Sequence, residues 1–134
     1  MTKKINALII DDDVVSCKKL SEILEPYATC SVFYEGKKAI EAYDSIIRKG
    51  DKIDLITLDI AMPLFDGIDT LKELRSIESN YHINKDDSAI IIMITSSFDK
   101  HKITESFEKG CNDYIIKPFD EKKLLARLKS NNLL

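Results

Sequence analysis

One stretch of this chain decides its fold: Ile53-Asp54-Leu55-Ile56-Thr57-Leu58-Asp59-Ile60-Ala61-Met62-Pro63-Leu64-Phe65-Asp66-Gly67. Its first six residues are mostly apolar and include two isoleucines and a threonine, which is typical of a buried β-strand. A loop must follow Asp59, because Pro63 lacks an N–H group and Asp66-Gly67 is a turn signal. In open α/β sheets, the carboxyl ends of the strands form the edge where ligands bind. We therefore expect the chemistry of this chain at Asp59, although this stretch alone would also fit a carboxylate that merely ends a strand.

The composition predicts one domain over residues 1–134 and argues against several classes of function. With 134 residues, of which 44% are hydrophobic, the chain can bury a core without disulfides or a structural metal. Its net charge of -3 offers no basic face for nucleic acid. The three cysteines, Cys17, Cys30 and Cys111, lack metal-ligand spacing and predict reduced thiols in a cytosolic protein. Since no signal-peptide or membrane-spanning pattern occurs, we expect a soluble, cytoplasmic protein.

Hydrophobic patterns along the chain predict five strands that alternate with five helices. The strands are expected at residues 5–10, 29–34, 53–58, 89–94 and 113–116. Helices are expected at residues 14–25 and 37–49, at about 99–109 and after Asp120. Between the second of these and the polar connection at residues 80–88, a further helix is marked by Ile68, Leu71, Leu74 and Ile77. In the fourth helix, Ile103 and Phe107 are predicted to face inward. This alternation predicts an α/β fold, with a parallel sheet flanked by helices on both faces.

Polar side chains follow four of these strands: Asp11 and Asp12, then Asp59, Thr95 and Lys117. Right-handed crossovers place the carboxyl ends of all parallel strands on one edge, so these side chains converge if the first, third, fourth and fifth strands are neighbours. Two carboxylates 4 Å apart repel by roughly 4 kcal/mol at an effective dielectric near 20, so a cation must compensate their charge. Oxygen ligands alone suit Mg²⁺. With a lysine and a hydroxyl beside it, such a site is suited to phosphoryl transfer.

Five motifs occur in an order that resembles the receiver domain of two-component response regulators: Ile9-Ile10-Asp11-Asp12-Asp13, Asp59-Ile60-Ala61-Met62-Pro63 with Asp66-Gly67, Ile94-Thr95-Ser96, Asp113-Tyr114 and Ile116-Lys117-Pro118-Phe119. The resemblance covers essentially the whole chain. It implies a flavodoxin-like doubly wound fold, in which five parallel strands in the order 2-1-3-4-5 are flanked by five helices.

The resemblance also implies a phosphoacceptor and a metal site. Asp59 would accept a phosphoryl group from a phosphohistidine on a sensor histidine kinase or a phosphotransfer protein. Asp12, Asp59 and the backbone carbonyl of Ala61 would ligate Mg²⁺, and Asp11 would act mainly through water. The protein would then be a signalling switch that assists only its own phosphorylation and dephosphorylation, and not an enzyme that acts on a separate substrate.

A switch to an output surface is implied in the same way. Lys117 would pair with the phosphoryl oxygens, and Thr95 would swing towards them and let the ring of Tyr114 move inward. The changed surface would be built from the fourth helix, the fifth strand and the last helix, and would bind a downstream protein. A homodimer competes with such a partner, because Asp113 and Arg127 lie where some members of the family pair two receivers across this face.

Two other classes of protein are weaker candidates. The run Asp11-Asp12-Asp13-Val14-Val15 fits the opening motif of haloacid-dehalogenase-type, Mg²⁺-dependent phosphatases, and Thr95 and Lys117 follow in the right order. That class needs a further acidic pair, but Asp120-Glu121 lies too close behind Lys117, and the motif around Asp59 stays unexplained. A flavin binder would need a phosphate loop rich in Ser, Thr or Gly after the first strand, where this chain has three carboxylates that would repel the phosphate.

A third alternative keeps the fold and changes its context. The chain could be the receiver of a longer regulator or of a hybrid kinase. Met1 favours an N-terminal receiver, and the sequence leaves open whether an output domain follows Leu134.

Overall fold

The computed structural model describes residues 3–62 and 65–134, and in these ranges the chain forms a five-stranded parallel sheet. The strands are β1 (Ile5–Ile10), β2 (Ala28–Phe33), β3 (Leu55–Leu58), β4 (Ile90–Thr95) and β5 (Asp113–Ile116). Their order is β2-β1-β3-β4-β5, and every neighbouring pair is parallel. The predicted fold class and strand order are confirmed. Since β1, β3, β4 and β5 are adjacent, the condition for the polar residues at their ends to converge is met.

The described residues contain five α-helices, of which the first four connect successive strands and the fifth follows β5: α1 (Val14–Leu24), α2 (Gly36–Arg48), α3 (Gly67–Asn80), α4 (Lys100–Glu108) and α5 (Glu121–Ser130). The sequence explains where several of them begin and end. Aspartates cap the N-termini of α1, α3, α4 and α5 through side-chain bonds to backbone N–H groups. Gly50 and Gly110 follow α2 and α4 with positive φ, which an L-residue with a side chain rarely adopts. In this part of the chain no helix is long and apolar enough to cross a bilayer.

The predicted boundaries differ from the observed ones by two residues at most. β3 begins at Leu55, two residues later than the apolar run suggests, and the polar connection contains a short 3₁₀ helix at Lys85–Asp87. The residues outside the described ranges are Met1, Thr2, Pro63 and Leu64. The loop predicted after Asp59 therefore lies partly outside the described residues.

The sheet is covered on both faces, so alternate residues of each strand enter different cores. Leu8 and Ile10 of β1 point to the core formed with α2 and α3, whereas Ala7 and Ile9 point to the core formed with α1 and α5. Apolar side chains therefore leave only the strand ends available for polar chemistry.

Helix α4 departs from the prediction that Ile103 and Phe107 both face inward. Phe107 is 46% exposed, Ile103 is partly buried, and Ser106 is the residue that α4 buries completely. The Ser106 hydroxyl donates to the Lys102 carbonyl at 2.8 Å, so its polar group is satisfied inside the helix. Successive residues of an α-helix point about 100° apart around its axis. Because Ser106 faces the core, Phe107 points to one side of it, and its ring faces solvent.

Candidate functional site

Three of the predicted site residues meet at the carboxyl edge of the sheet. Asp11, Asp59 and Lys117 each follow directly after a strand, namely β1, β3 and β5. Lys117 Nζ lies 2.7 Å from Asp11 Oδ2 and 3.0 Å from Asp59 Oδ2. These residues are far apart in sequence, and parallel strand pairing alone brings them together. The predicted convergence is therefore observed for these three residues.

The two carboxylates are buried, and the lysine compensates their charge. Asp11 is 2% exposed and Asp59 is 6% exposed. Burial raises the pKa of Asp11, and hydrogen bonds from Lys117 and from the Asp13 amide only partly offset this effect. Burial opposes the charge of Lys117, but its hydrogen bonds to Asp11 and Asp59 outweigh burial and raise its pKa overall. The ammonium group therefore stays protonated and bridges the two carboxylates.

A carboxylate cluster suitable for a metal ion lies at the same place. Asp11, Asp12 and Asp59 each offer an oxygen, and these oxygens lie within 4.8 Å of one another. Asp12 is exposed, so the cluster opens to solvent on that side. The Ala61 backbone N–H donates to Asp59 Oδ1 at 3.1 Å, which places Ala61 directly against this carboxylate. A set of hard oxygen donors that keeps one side open to water fits Mg²⁺.

Gly67 allows the loop after Asp59 to return close to the end of β3. A Cβ atom at this position would lie 2.1 Å from the Asp59 carbonyl oxygen and 2.6 Å from Ile60 Cα. The Gly67 N–H donates to the Ile60 carbonyl at 2.9 Å, which fixes this approach. The sequence indicated a turn at Asp66-Gly67, but the reason for glycine here is close backbone contact, and its φ is not in the left-handed region.

The two predicted switch residues, Thr95 and Tyr114, are both bonded to Ser97. Thr95 ends β4 and is fully buried, and its Oγ1 accepts the Ser97 N–H at 3.3 Å. The Tyr114 hydroxyl donates to the Ser97 carbonyl at 2.7 Å, and the Tyr114 side chain is half-buried. Burial is the main cause of the raised pKa of Tyr114. Movement of these two side chains on phosphorylation stays a prediction.

Ser16 belongs to the site, although the sequence reasoning missed it. Its Oγ lies 3.1 Å from Lys117 Nζ, and its hydroxyl donates to Asp13 Oδ2 at 2.9 Å. A signal was available, because Asp13 is the N-cap of α1 and Ser16 is the third residue of the helix. In a capping box, the residues at these two positions are joined by side-chain bonds to each other's backbone N–H groups, so a polar residue at position 16 indicated an interaction with Asp13.

Asp113 and Arg127, the residues considered for pairing two receivers, are bonded to each other within one chain. Arg127 Nε and Nη2 both lie 2.6 Å from Asp113 Oδ2, and Asn131 Nδ2 donates to the same oxygen at 2.9 Å. A dimer that used this pair between chains would first have to break these bonds. Dimerisation itself stays a prediction.

Comparison with known proteins gives one consistent result. A family model described as the response regulator receiver domain matches residues 7–129. The chain is 29% identical over 125 residues to the chemotaxis protein CheY of Treponema pallidum, covering 92% of this chain and 79% of that protein. It is 33% identical over 124 residues to the transcriptional regulatory protein CpxR of Escherichia coli, covering 92% of this chain and 47% of CpxR.

A solved structure shows the same architecture. The crystal structure of a CheX–CheY–BeF₃–Mg complex from Borrelia burgdorferi matches with a TM-score of 0.79 and 30% sequence identity. The match covers 96% of this chain and 89% of the matched one.

Proposed function

Since this chain belongs to the family of response regulator receiver domains, which are phosphorylation switches of two-component signalling, we propose that Asp59 is its phosphoacceptor. One observation carries the assignment, namely that Asp59 is the carboxylate of the acidic cluster that follows β3, the central strand of the sheet. Its Oδ1 accepts the Ala61 N–H, and its Oδ2 accepts Lys117 Nζ. Both oxygens are thus held in place at the open end of the sheet.

In the proposed reaction, an Asp59 oxygen forms a bond to phosphorus while the bond from phosphorus to the donor's imidazole nitrogen breaks. The imidazole leaves with the electron pair of that bond and takes up a proton. Lys117 turns one of its N–H groups towards the transferred oxygens and offsets their negative charge. Mg²⁺, held by Asp12, Asp59 and the Ala61 carbonyl with Asp11 acting through water, would neutralise further charge on the phosphoryl group.

The phosphatase alternative loses support from two helix caps. Asp13 accepts the Val15 N–H and is the N-cap of α1, and Asp120 accepts the Lys123 N–H and is the N-cap of α5. Two of the acids that this alternative would recruit are therefore bound to the ends of helices. We accordingly propose a phosphoacceptor switch that acts only on its own phosphorylation state, with residues 1–134 acting as one receiver domain.

The proposed partners are a phosphohistidine donor and a downstream protein. The donor is a sensor histidine kinase or a phosphotransfer protein, which delivers the phosphoryl group at the acidic cluster. The output face consists of α4, β5 and α5, and exposed aromatic rings on this side of the molecule support it, since Phe98 is 75% and Phe107 is 46% exposed. Either a different protein or a second copy of the chain would bind there.

The proposed setting is the cytoplasm, where the three free cysteines stay reduced. The proposal includes no direct contact with nucleic acid or membrane, in keeping with the net charge of -3. The matched Escherichia coli regulator CpxR is about twice as long as this chain, so a place within a longer regulator or hybrid kinase stays an alternative context for the same switch.

Labelling with acetyl phosphate tests the phosphoacceptor. With Mg²⁺ present, intact-protein mass spectrometry should show the addition of one phosphoryl group, and EDTA should prevent it. Asp59→Asn should abolish labelling, whereas Asp51→Asn, which changes an exposed aspartate in the connection before β3, should not. If Asp59→Asn is labelled as fast as the parent, or if EDTA has no effect, the assignment is wrong.

A further inference from the structure

We propose that Ser16 is a positioning residue for Lys117, an inference that rests on the proposed role of Asp59. Ser16 lies in the first turn of α1 and is partly buried. It would act through the lysine, by holding the ammonium group in the orientation in which one N–H group can donate a hydrogen bond to the phosphoryl group.

The first step is the hydrogen bonding of Lys117. An ammonium group has three N–H donors. Three acceptors surround Lys117 Nζ, with Asp11 Oδ2 at 2.7 Å, Asp59 Oδ2 at 3.0 Å and Ser16 Oγ at 3.1 Å. The orientation of the group is therefore determined by three different elements: the end of β1, the end of β3 and the start of α1.

The second step is that Ser16 is itself oriented. Its hydroxyl donates to Asp13 Oδ2 at 2.9 Å, which leaves an oxygen lone pair for Lys117. Asp13 is fixed in turn, because its Oδ1 caps α1 by accepting the Val15 N–H at 3.0 Å. The Asp13 N–H donates to Asp11 Oδ1 at 2.9 Å. Asp11, Lys117, Ser16 and Asp13 therefore form a closed ring of hydrogen bonds.

The third step is what happens when Asp59 carries a phosphoryl group. The N–H group of Lys117 that bonds to Asp59 must then bond to a phosphoryl oxygen. The lysine side chain is long and flexible, and fixing it costs conformational entropy. Asp11 and Ser16 have already restricted it, so part of this cost is met before the phosphoryl group arrives. Without Ser16 the ammonium group has one fixed acceptor fewer, and binding at Asp59 should weaken.

Beryllofluoride, which mimics a phosphoryl group on aspartate, provides the assay. Its affinity is measured by NMR titration at saturating Mg²⁺ for the parent, Ser16→Ala, Ser16→Thr and the control Ser21→Ala. Ser21 lies farther along the same helix, so the control makes the same substitution in the same element. Ser16→Ala should weaken binding about tenfold, which corresponds to one hydrogen bond to a charged group. Ser16→Thr should restore the parent affinity to within about twofold, and Ser21→Ala should leave it unchanged.

A second measurement asks whether Ser16 acts through Lys117. The rate of labelling by acetyl phosphate is compared for Lys117→Ala and for the double variant with Ser16→Ala. If Ser16 positions the lysine, Ser16→Ala should slow the parent but cause no further loss once Lys117 is absent. The inference is overturned if Ser16→Ala matches the parent in both assays, or if it slows the Lys117→Ala protein by the same factor as the parent. If the parent itself takes up neither probe, the role of Asp59 is at fault, and the inference about Ser16 fails with it.

Discussion

Removal of the lysine that bridges two buried carboxylates should destabilise the protein strongly when no metal ion is present. Lys117→Ala removes the cation that Asp11 and Asp59 share. In the parent structure the side chains of these two residues are 3% and 8% exposed. Breaking a buried ion pair by removing one partner typically costs about 3–5 kcal/mol, because the remaining charge is left without compensation.

Protonation sets an upper limit to this cost. A carboxyl group with the ordinary pKa of 3.8 can take up a proton at pH 7 for about 4 kcal/mol, at about 1.4 kcal/mol for each pH unit. The pKa of Asp11 is already raised by burial, so the actual limit for this group is lower. We therefore expect Lys117→Ala to lower the free energy of unfolding by about 3 kcal/mol at pH 7 in EDTA.

The loss of stability in Lys117→Ala should depend on pH in a defined direction. The hydrogen bond from Lys117 lowers the pKa of Asp11, so loss of the lysine should raise the pKa of this buried carboxyl group further above its unfolded value. A carboxyl group with a raised folded pKa stabilises the fold below its unfolded pKa, and this stabilisation is lost as the pH rises through the folded pKa. The deficit of Lys117→Ala relative to the parent should therefore shrink as the pH falls from 7 towards 5.

Urea unfolding followed by circular dichroism measures both effects, since a domain of this size usually unfolds in a two-state transition. The control is Lys122→Ala, which removes an exposed lysine from α5. A loss below about 1 kcal/mol, or a deficit that does not change between pH 7 and pH 5.5, would refute the claim that Lys117 compensates two buried charges.

Two further substitutions test the metal site and the core at the opposite edge of the sheet. Asp12→Ala should raise the stability of the metal-free protein, because it removes a repelling charge, and should weaken the stabilisation by Mg²⁺, which in the parent is about 2.7 kcal/mol at a hundredfold excess over Kd. An unchanged Mg²⁺-dependent shift in Tm would count against Asp12 as a ligand. Glu78→Ala should cost roughly 3–5 kcal/mol in urea unfolding, because it leaves Arg75 without its buried partner at 2.7 Å. The exposed Glu73 of the same helix is the control, and equal losses for the two would contradict the buried role.

The sequence predicted the parts of the site that depend on strand ends. Apolar runs that stop at a polar residue mark Asp11, Asp59 and Thr95, and parallel pairing then places these ends on one edge. This inference also needs the order of the strands, which came from the resemblance to receiver domains and not from the apolar runs themselves. For the same reason, Lys117 was expected at the site from its position after the fifth strand.

The hydrogen-bond partners of a polar side chain buried inside the core could not be predicted. Glu78 is 4% exposed, although a glutamate on a helix pattern indicates a solvent-facing position. Its burial is possible because it accepts hydrogen bonds from the Tyr43 hydroxyl at 2.6 Å, the Ala89 N–H at 2.9 Å and Arg75 at 2.7 Å. These groups come from α2, from the residue before β4 and from α3, and no local pattern joins them. Burial and the hydrogen bond to Glu78 also raise the pKa of Tyr43.

Phe107 was predicted to face inward but is exposed, and α4 is therefore packed less firmly than the sequence suggested. This weak packing bears on the proposed switch. Helix α3 buries seven of its residues, whereas α4 buries Ser106, and both helices lie fully within the described residues. An element with so little buried apolar surface can move at a small cost in free energy. Its N-terminus follows the segment in which Ser97 accepts the Tyr114 hydroxyl and donates to Thr95. If the Thr95 hydroxyl turns towards a phosphoryl group on Asp59, it must give up the bond to Ser97, and the acceptor of Tyr114 is then free to shift. Phosphorylation of Asp59 would thus be transmitted to the output face through Ser97. The adjoining helix α4 can follow at a small cost, because few of its side chains are buried in the core.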